Sequence, residues 1–243
     1  MAEYNQYSRD EILHVLQARA RLEEDVLLKV DLAATQLRGL VVIRSTLRNV
    51  TLAGATLDES RWEEALLQGL NLRKASLPGA MFEGCHLHGT DLIEADLTGA
   101  IFSGGRLEGC SLVNARLSGA TITDVTFMAT DLYRADLRGA RLIHCRFRDP
   151  NLKAASIGRA KLAGATLIDC DLKEANLGEC DLTGAIFVSC DLRGANAQQA
   201  ILAGATLVSC NAEGMNLDQA HLRELKHAET RFVHASTKGA RWE

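Results

Sequence analysis

The chain has 243 residues, of which 47% are hydrophobic, enough apolar material for a large core arranged as one domain or as two. Its 27 basic and 31 acidic residues leave a net charge of −4, which argues neither for a nucleic-acid surface nor for a strongly acidic mimic of one. The first residues carry no cationic stretch followed by an apolar run, and nothing later approaches the ~18 apolar residues of a membrane span, so the expectation is a cytoplasmic protein with no membrane partner.

In chain order the first element is a helix. Ser8-Arg9-Asp10-Glu11 reads as a capping box, followed by Ile12, Leu13, Leu16 and Ala20 at helical spacing, which predicts a short helix over residues 8–19 that lays an apolar face over whatever follows. Ala20 and Leu22 already share the phase of the pattern that fills the rest of the chain. The expected organisation is therefore a tail and capping helix over residues 1–19 and a repeat region over 20–243.

That pattern is a five-residue grid. With Leu32 as a central position i, every fifth residue through Trp242 is another centre, without an insertion, and 39 of these 43 centres are Leu, Phe, Ile, Val or Trp. Position i−2 is Ala or Cys at 28 of the 43. All seven cysteines fall at i−2 and all six phenylalanines at i. A period of five fits neither a helix nor a strand with two inward residues per unit, and it signals stacked repeats. If each unit forms one side of a coil and turns at i+1 and i+2, four units close a square of 20 residues. The next coil then stacks on it by parallel backbone pairing at ~4.8 Å. Centres must fill the tube, which selects Leu or Phe, whereas i−2 lies against a corner where only small groups fit. Positions i−1, i+1 and i+2 face water and hold nearly all the charge. Glycine at i+2, as in Gly79, Gly99, Gly119 and Gly139, suits a turn with positive φ.

Units such as Ala95-Asp96-Leu97-Thr98-Gly99 and Ala135-Asp136-Leu137-Arg138-Gly139 resemble the pentapeptide repeat family, and the resemblance extends over residues 30–243. It implies an all-β fold, a right-handed quadrilateral parallel β-helix of about 10–11 coils behind the N-terminal capping helix. Handedness comes from the resemblance alone.

Reading every twentieth residue gives four columns. One carries a polar ladder at i−1 (Asp31, Thr51, Asn71, Asp91, Ser111, Asp131, Asn151, Asp171, Asp191, Asn211), whose short side chains suit turn stabilisation better than a ligand site. Phe82 stacks on Phe102, and Phe127 on Phe147. Cys170, Cys190 and Cys210 stack likewise; small-residue packing outranks a redox or metal reading, and the odd count suits no closed disulfide framework. Ala197 and Ala212 leave centres underfilled, with Met215 placed to occupy part of the gap.

Little chemistry emerges. His86 and His88 flank Leu87 on one face without a third ligand, and Gly104-Gly105-Arg106-Leu107-Glu108-Gly109 lacks the strand-to-helix context of a phosphate loop. No nucleophile, base and orienting group converge, so no enzyme, no metal and no cofactor are expected. Function is left to the surface. Outward apolar residues align at i+1, with Ile93, Val113 and Tyr133 on one face and Ile168, Val188 and Val208 on another, the latter beside Ile186; these are the candidate partner surfaces. Below Tyr133 the column continues with Lys153, Lys173 and Arg193. At the far end Phe232, Arg241 and Trp242 mark a candidate association edge, and the resemblance implies pairing of two rods there.

A non-catalytic rigid scaffold or adaptor for protein partners is the leading expectation. Uninterrupted arrays behind a short helix also resemble pentapeptide domains associated with bacterial type VI secretion. The alternative implied by the resemblance is a DNA-mimicking partner of gyrase or topoisomerase IV that protects against quinolones or toxins. Residues 30–243 hold 25 acidic and 23 basic residues, a net of −2, which opposes such mimicry and makes direct nucleic-acid binding equally unexpected.

Overall fold

The computed structural model describes residues 8–243; the tail expected over residues 1–7 lies outside them. A helix, α1 (Arg9–Arg19), is followed by three-residue strands arranged in a parallel β-solenoid. Strands pair with a register of 20 residues, as in Val42↔Trp62, Trp62↔Phe82 and Phe147↔Leu167. The square coil expected from the period is therefore the observed one.

We number its sides by their centres: face 1 from Leu22, face 2 from Leu27, face 3 from Leu32 and face 4 from Leu37. Face 2 is an 11-stranded sheet running the length of the rod, and face 1 a seven-stranded sheet that ends at Arg141–Ile143. Beyond it face 1 exchanges strands for tight turns, in which the N–H groups of Ala165, Ala185 and Ala205 donate to the carbonyls of Leu162, Leu182 and Leu202. Faces 3 and 4 join their coils by isolated parallel bridges such as Asp91↔Ser111 and Asn176↔Asn196.

The core follows the grid. Centres from Leu22 to Leu222 are buried, together with the i−2 residues Ala95, Cys110, Ala135 and Cys180. Trp62, Phe82 and Phe102 form one continuous stack with centroid separations of 5.7 and 4.6 Å, and Phe127 and Phe147 form a second at 4.6 Å. Such stacking adds to the burial each ring already contributes. Met215 is buried beside Ala197 and Ala212. At i+2 the left-handed conformation is general: Gly79 has φ 66°, but Glu59, Asn114 and Asp169 hold it too, so glycine is favoured there without being required.

The capping box forms as the sequence predicts, with the Ser8 N–H donating to Glu11 Oε2 at 2.8 Å and the Glu11 N–H to Ser8 Oγ at 3.3 Å. Ile12 and Leu16 are buried against the first coil, and the Arg9 guanidinium donates to the Asp31 and Ala33 carbonyls at 2.7 and 3.3 Å, covering an otherwise open edge. Ala20, expected on the apolar helical face, is instead the left-handed C-cap at φ 43° and is exposed. The last coil has no equivalent cover among the described residues, and burial fades through it: His227 and Thr237 are exposed and Phe232 half-buried.

Candidate functional site

The polar ladder on face 3 serves the backbone. Asp91, Asp131, Asn151, Asp171 and Asn211 each accept, through Oδ1, the N–H two residues ahead at 3.0–3.2 Å. Asp96, Asp136, Asn176, Asn196 and Asn216 do the same on face 4. These side chains close the corners on which the square depends.

The cysteines are also structural, and the structure adds a detail beyond packing. The thiols of Cys85, Cys110, Cys145, Cys180 and Cys190 donate to the carbonyls of Trp62, Leu87, Ile122, Ile157 and Leu167, each one coil earlier, at 3.0–3.4 Å. Thr90 and Thr130 hydroxyls make the equivalent bonds to Leu67 and Leu107. Position i−2 therefore holds mostly small groups that are apolar or carry one inward donor, although Leu40, Leu70 and Met215 are buried there too, so a larger apolar side chain is accommodated where the sequence pattern expects only a small one. Burial pushes the Cys85 and Cys110 thiols up to about 11, and those of Cys145 and Cys180 to about 12. The neighbouring Cys170 thiol, together with burial, pushes Cys190 up to about 12. A nucleophile needs the opposite environment. Among the described residues no group of three or more His, Cys, Asp or Glu side chains is placed to hold a metal ion; His86 and His88 both face solvent.

Face 2 brings Ile168, Val188 and Val208 into vertical register, continued by Ala228. The three are half-buried, while Ile186, paired between Thr166 and Thr206 in the adjoining column, is 41% exposed. The result is a flat, β-branched surface three coils tall, bounded by Arg146 and Arg148 on one side and Lys226 on the other.

Face 3 places Ile93, Val113 and Tyr133 in register as well, all half-buried, but the Arg134 guanidinium lies 5.0 Å over the Tyr133 ring. Farther along this face, Lys173 Nζ sits between Asp171 and Asp191 at 3.2 and 3.3 Å, and Arg193 pairs with Asp191 at 2.7 Å. Burial tends to raise the Asp191 carboxyl, yet the Arg193 and Lys173 hydrogen bonds outweigh it and hold the group below its ordinary value. Much of the basic stripe is thus spent on the acidic ladder beside it.

The end coil contains an open apolar basin of about 210 Å³ lined by Leu217, Leu225, His227, Phe232, Ala235, Thr237 and Trp242. The imidazole of His227 meets Phe232 edge-on at 5.4 Å, and Trp242 is 57% exposed. Arg241 pairs with His221 through the backbone while its side chain stays in solvent.

Sequence reasoning missed a groove of about 650 Å³ on face 4, floored by Gly158 and Gly178 and flanked by Arg138, Arg159, Asn176 and Asn196. Its signal is present in the sequence: at these two units glycine stands at i+1 instead of i+2. Met81 and Ile101, 39% and 41% exposed and in register on face 1, were also unremarked, since single exposed apolar residues are ordinary.

Family models described as "Pentapeptide repeat region" and "Pentapeptide repeats (8 copies)" match residues 100–177 and residues 45–84, 65–104, 79–112 and 185–223, respectively. No curated protein matches the sequence. Solved structures similar to this chain include HetL from the cyanobacterium Nostoc sp. strain PCC 7120, a pentapeptide repeat protein involved in heterocyst differentiation regulation. It is 25% identical over 97% of both chains, with a TM-score of 0.46. A pentapeptide repeat protein of the Arabidopsis thaliana thylakoid lumen is 35% identical over 37% of this chain and 63% of its own, at 0.37. The plasmid-mediated fluoroquinolone resistance protein QnrB1 is 18% identical over 73% of this chain and 89% of its own, at 0.32.

Proposed function

Because the chain belongs to the pentapeptide repeat family, we propose that it is a non-catalytic, rigid scaffold whose protein partner docks on its outer faces. Residues 20–243 act in this reading as one unit and residues 1–19 as an N-terminal tail and capping helix. The observation that carries it is the face 2 column of Ile168, Val188 and Val208 beside Ile186, a register of β-branched residues that the fold does not need outward. The tube is satisfied by i and i−2 alone, so an apolar column at i+1 is free to serve recognition. Ile93, Val113 and Tyr133 form a second, narrower contact on face 3. A photo-crosslinking residue at Val188 is expected to capture a partner that the same residue at Lys153 does not; equal capture at both would sink the assignment.

The end basin, with half-buried Phe232 and exposed Trp242 beside Arg241, is the proposed pairing edge for a second copy of the chain. Light scattering across concentrations tests it: a Trp242→Glu variant is expected to abolish a dimer that the parent chain forms, and a parent that stays monomeric throughout rejects it. The finer reading, association with type VI secretion, rests on the uninterrupted array behind α1. Mimicry of DNA towards gyrase is disfavoured by charge placement. Residues 131–165 hold eight basic against three acidic residues, a positive band where a mimic needs continuous negative potential.

A further inference from the structure

The rod's near-neutral total conceals a segmentation along its axis. Residues 71–130 carry six acidic and four basic residues, a net of −2; residues 131–165 carry three and eight, a net of +5; residues 166–225 carry nine and three, a net of −6. The eight cations of the middle band are distributed two to a face: Arg141 and Lys161 on face 1, Arg146 and Arg148 on face 2, Arg134 and Lys153 on face 3, and Arg138 and Arg159 on face 4. Arg138 is paired with Asp136, Arg148 with Asp149 and Arg159 with Glu179, whereas Arg134, Arg141, Arg146, Lys153 and Lys161 have no ion pair among the described residues.

One side of the band differs from the others. Around the corner between faces 4 and 1 stand Arg138 and Arg141 in one coil and Arg159 and Lys161 in the next, Arg141 and Lys161 being neighbours across a parallel bridge and Lys161 bridging on to Asp181. This corner borders the groove of about 650 Å³. The groove exists because glycine and side chain have exchanged places in two successive units. Arg159 and Glu179 hold the left-handed corner at φ 63° and 57°, while Gly158 and Gly178 stand where the units before and after carry Arg138 and Gln198. Neither glycine has positive φ; a Cβ at Gly158 would come within 3.3 Å of the Gly178 carbonyl oxygen and one at Gly178 within 3.1 Å of Asn176 Oδ1, so the close approach of the next coil favours glycine here, and the result is a missing wall two coils tall.

The lining is rich in donors. Asn176 and Asn196 spend Oδ1 on the N–H groups of Gly178 and Gln198, which leaves each Nδ2 without an acceptor among the described hydrogen bonds. The lining carboxylate, Glu179, is engaged by Arg159 at 3.1 and 3.2 Å. The Arg159–Glu179 pair is largely exposed and inexpensive to open, whereas Arg138 is held in a bidentate contact by the mostly buried Asp136 and presents the rest of its guanidinium to the groove. A groove that offers amide and guanidinium donors beneath a net positive corner selects a ligand that supplies acceptors and negative charge.

We propose that this face 4 groove binds an acidic peptide segment of a protein partner, its carboxylates held by Arg138, Arg159, Arg141 and Lys161 and its backbone carbonyls by Asn176 and Asn196. The surface is separate from the face 2 column, so either can fail without the other. An extended peptide is preferred to a nucleic acid because the groove has no aromatic platform on which bases could stack.

The test uses the whole chain and a fluorescent decapeptide of alternating Glu and Ser, read by anisotropy. Binding is expected, with at least about tenfold weakening as salt rises from about 50 to about 500 mM. The same peptide with Gln for Glu should not bind. Arg141→Glu with Lys161→Glu should weaken binding at least about tenfold. Gly178→Gln, which fills the groove without changing charge and needs no positive φ, should weaken it at least about threefold. Arg146→Glu with Arg148→Glu, equal in charge but on the opposite face, should leave it within about twofold. Absence of binding overturns the proposal. So does equal loss in the two charge-reversed variants, which would reduce the effect to net charge, and so does displacement of the peptide by a single-stranded oligonucleotide of equal charge.

Discussion

Reactivity of the cysteines offers a sharp test of how the tube is built. A free thiol near its ordinary value of 9.0 is about one-tenth thiolate at pH 8, whereas one held at about 11, as in Cys85 and Cys110, is about one-thousandth thiolate. The folded chain should therefore react with a thiol-specific disulfide reagent at least about a hundredfold more slowly than the unfolded chain on ionisation alone, before burial of the sulfur slows it further. All seven thiols should be silent in native buffer and all seven should titrate in guanidinium. The same shifts set a pH window. The folded form binds these protons more tightly than the unfolded form, so their contribution is fully present below about pH 9. It is lost as pH rises towards about 11–12, on the order of 3–4 kcal/mol per buried thiol. Rapid native labelling of even two cysteines, or a melting temperature unchanged between pH 8 and 10.5, would refute the inward thiol-to-carbonyl arrangement.

Three further outcomes follow from individual contacts. Phe82→Leu should cost about 0.5–1.5 kcal/mol more than Phe127→Leu in chemical denaturation, because Phe82 stacks on both Trp62 and Phe102 while Phe127 stacks on Phe147 alone; equal losses would deny the stack its role. Ser8→Ala should remove about 1 kcal/mol of helix capping and speed amide exchange in the first coil. Because the Ser8 hydrogen bonds hold the Glu11 carboxyl below its ordinary value, the protection of these amides, taken as the intrinsic exchange rate divided by the observed one, should fall in the parent chain as pH falls below about 4.5, and unaltered protection in both cases would contradict the cap. Gly105→Ala should destabilise by roughly 2 kcal/mol, since Gly105 has φ 85° and an added Cβ would collide with the Cys85 carbonyl oxygen; a gain in stability would show that the segment relaxes to the ordinary corner.

Gly105 also marks the limit of what the sequence conveys. The five-residue period specifies which side chains face inward at Leu92, Ala95 and Phe102, because a closed tube must be filled at i and lined by apolar, mostly small groups at i−2. The capping box at Ser8 and Glu11 and the Asx ladder are equally legible, since each is a local bond between residues two or three apart. By the grid alone Ala would suit position 105, and only the path of the backbone against Cys85 shows otherwise. The groove at Gly158 and Gly178 was hidden for a related reason: a missing side chain becomes a cavity only when the walls above and below it are in place. The inward hydrogen bonds of Cys85, Cys145 and Cys180 likewise span 23 residues, beyond any local pattern. Surface residues were the least legible, because i+1 bears no side-chain requirement of the fold that would give a partner site away.

Affinity capture from native extract tests the scaffold reading most directly, comparing the parent chain with one carrying Ile168→Ser, Val188→Ser and Val208→Ser. These side chains are half-buried on the outer sheet and leave the tube's own packing untouched. The account predicts that a protein recovered with the parent is lost from the variant while both chains keep the same melting temperature within a few degrees. Identical recovery from the two would contradict it.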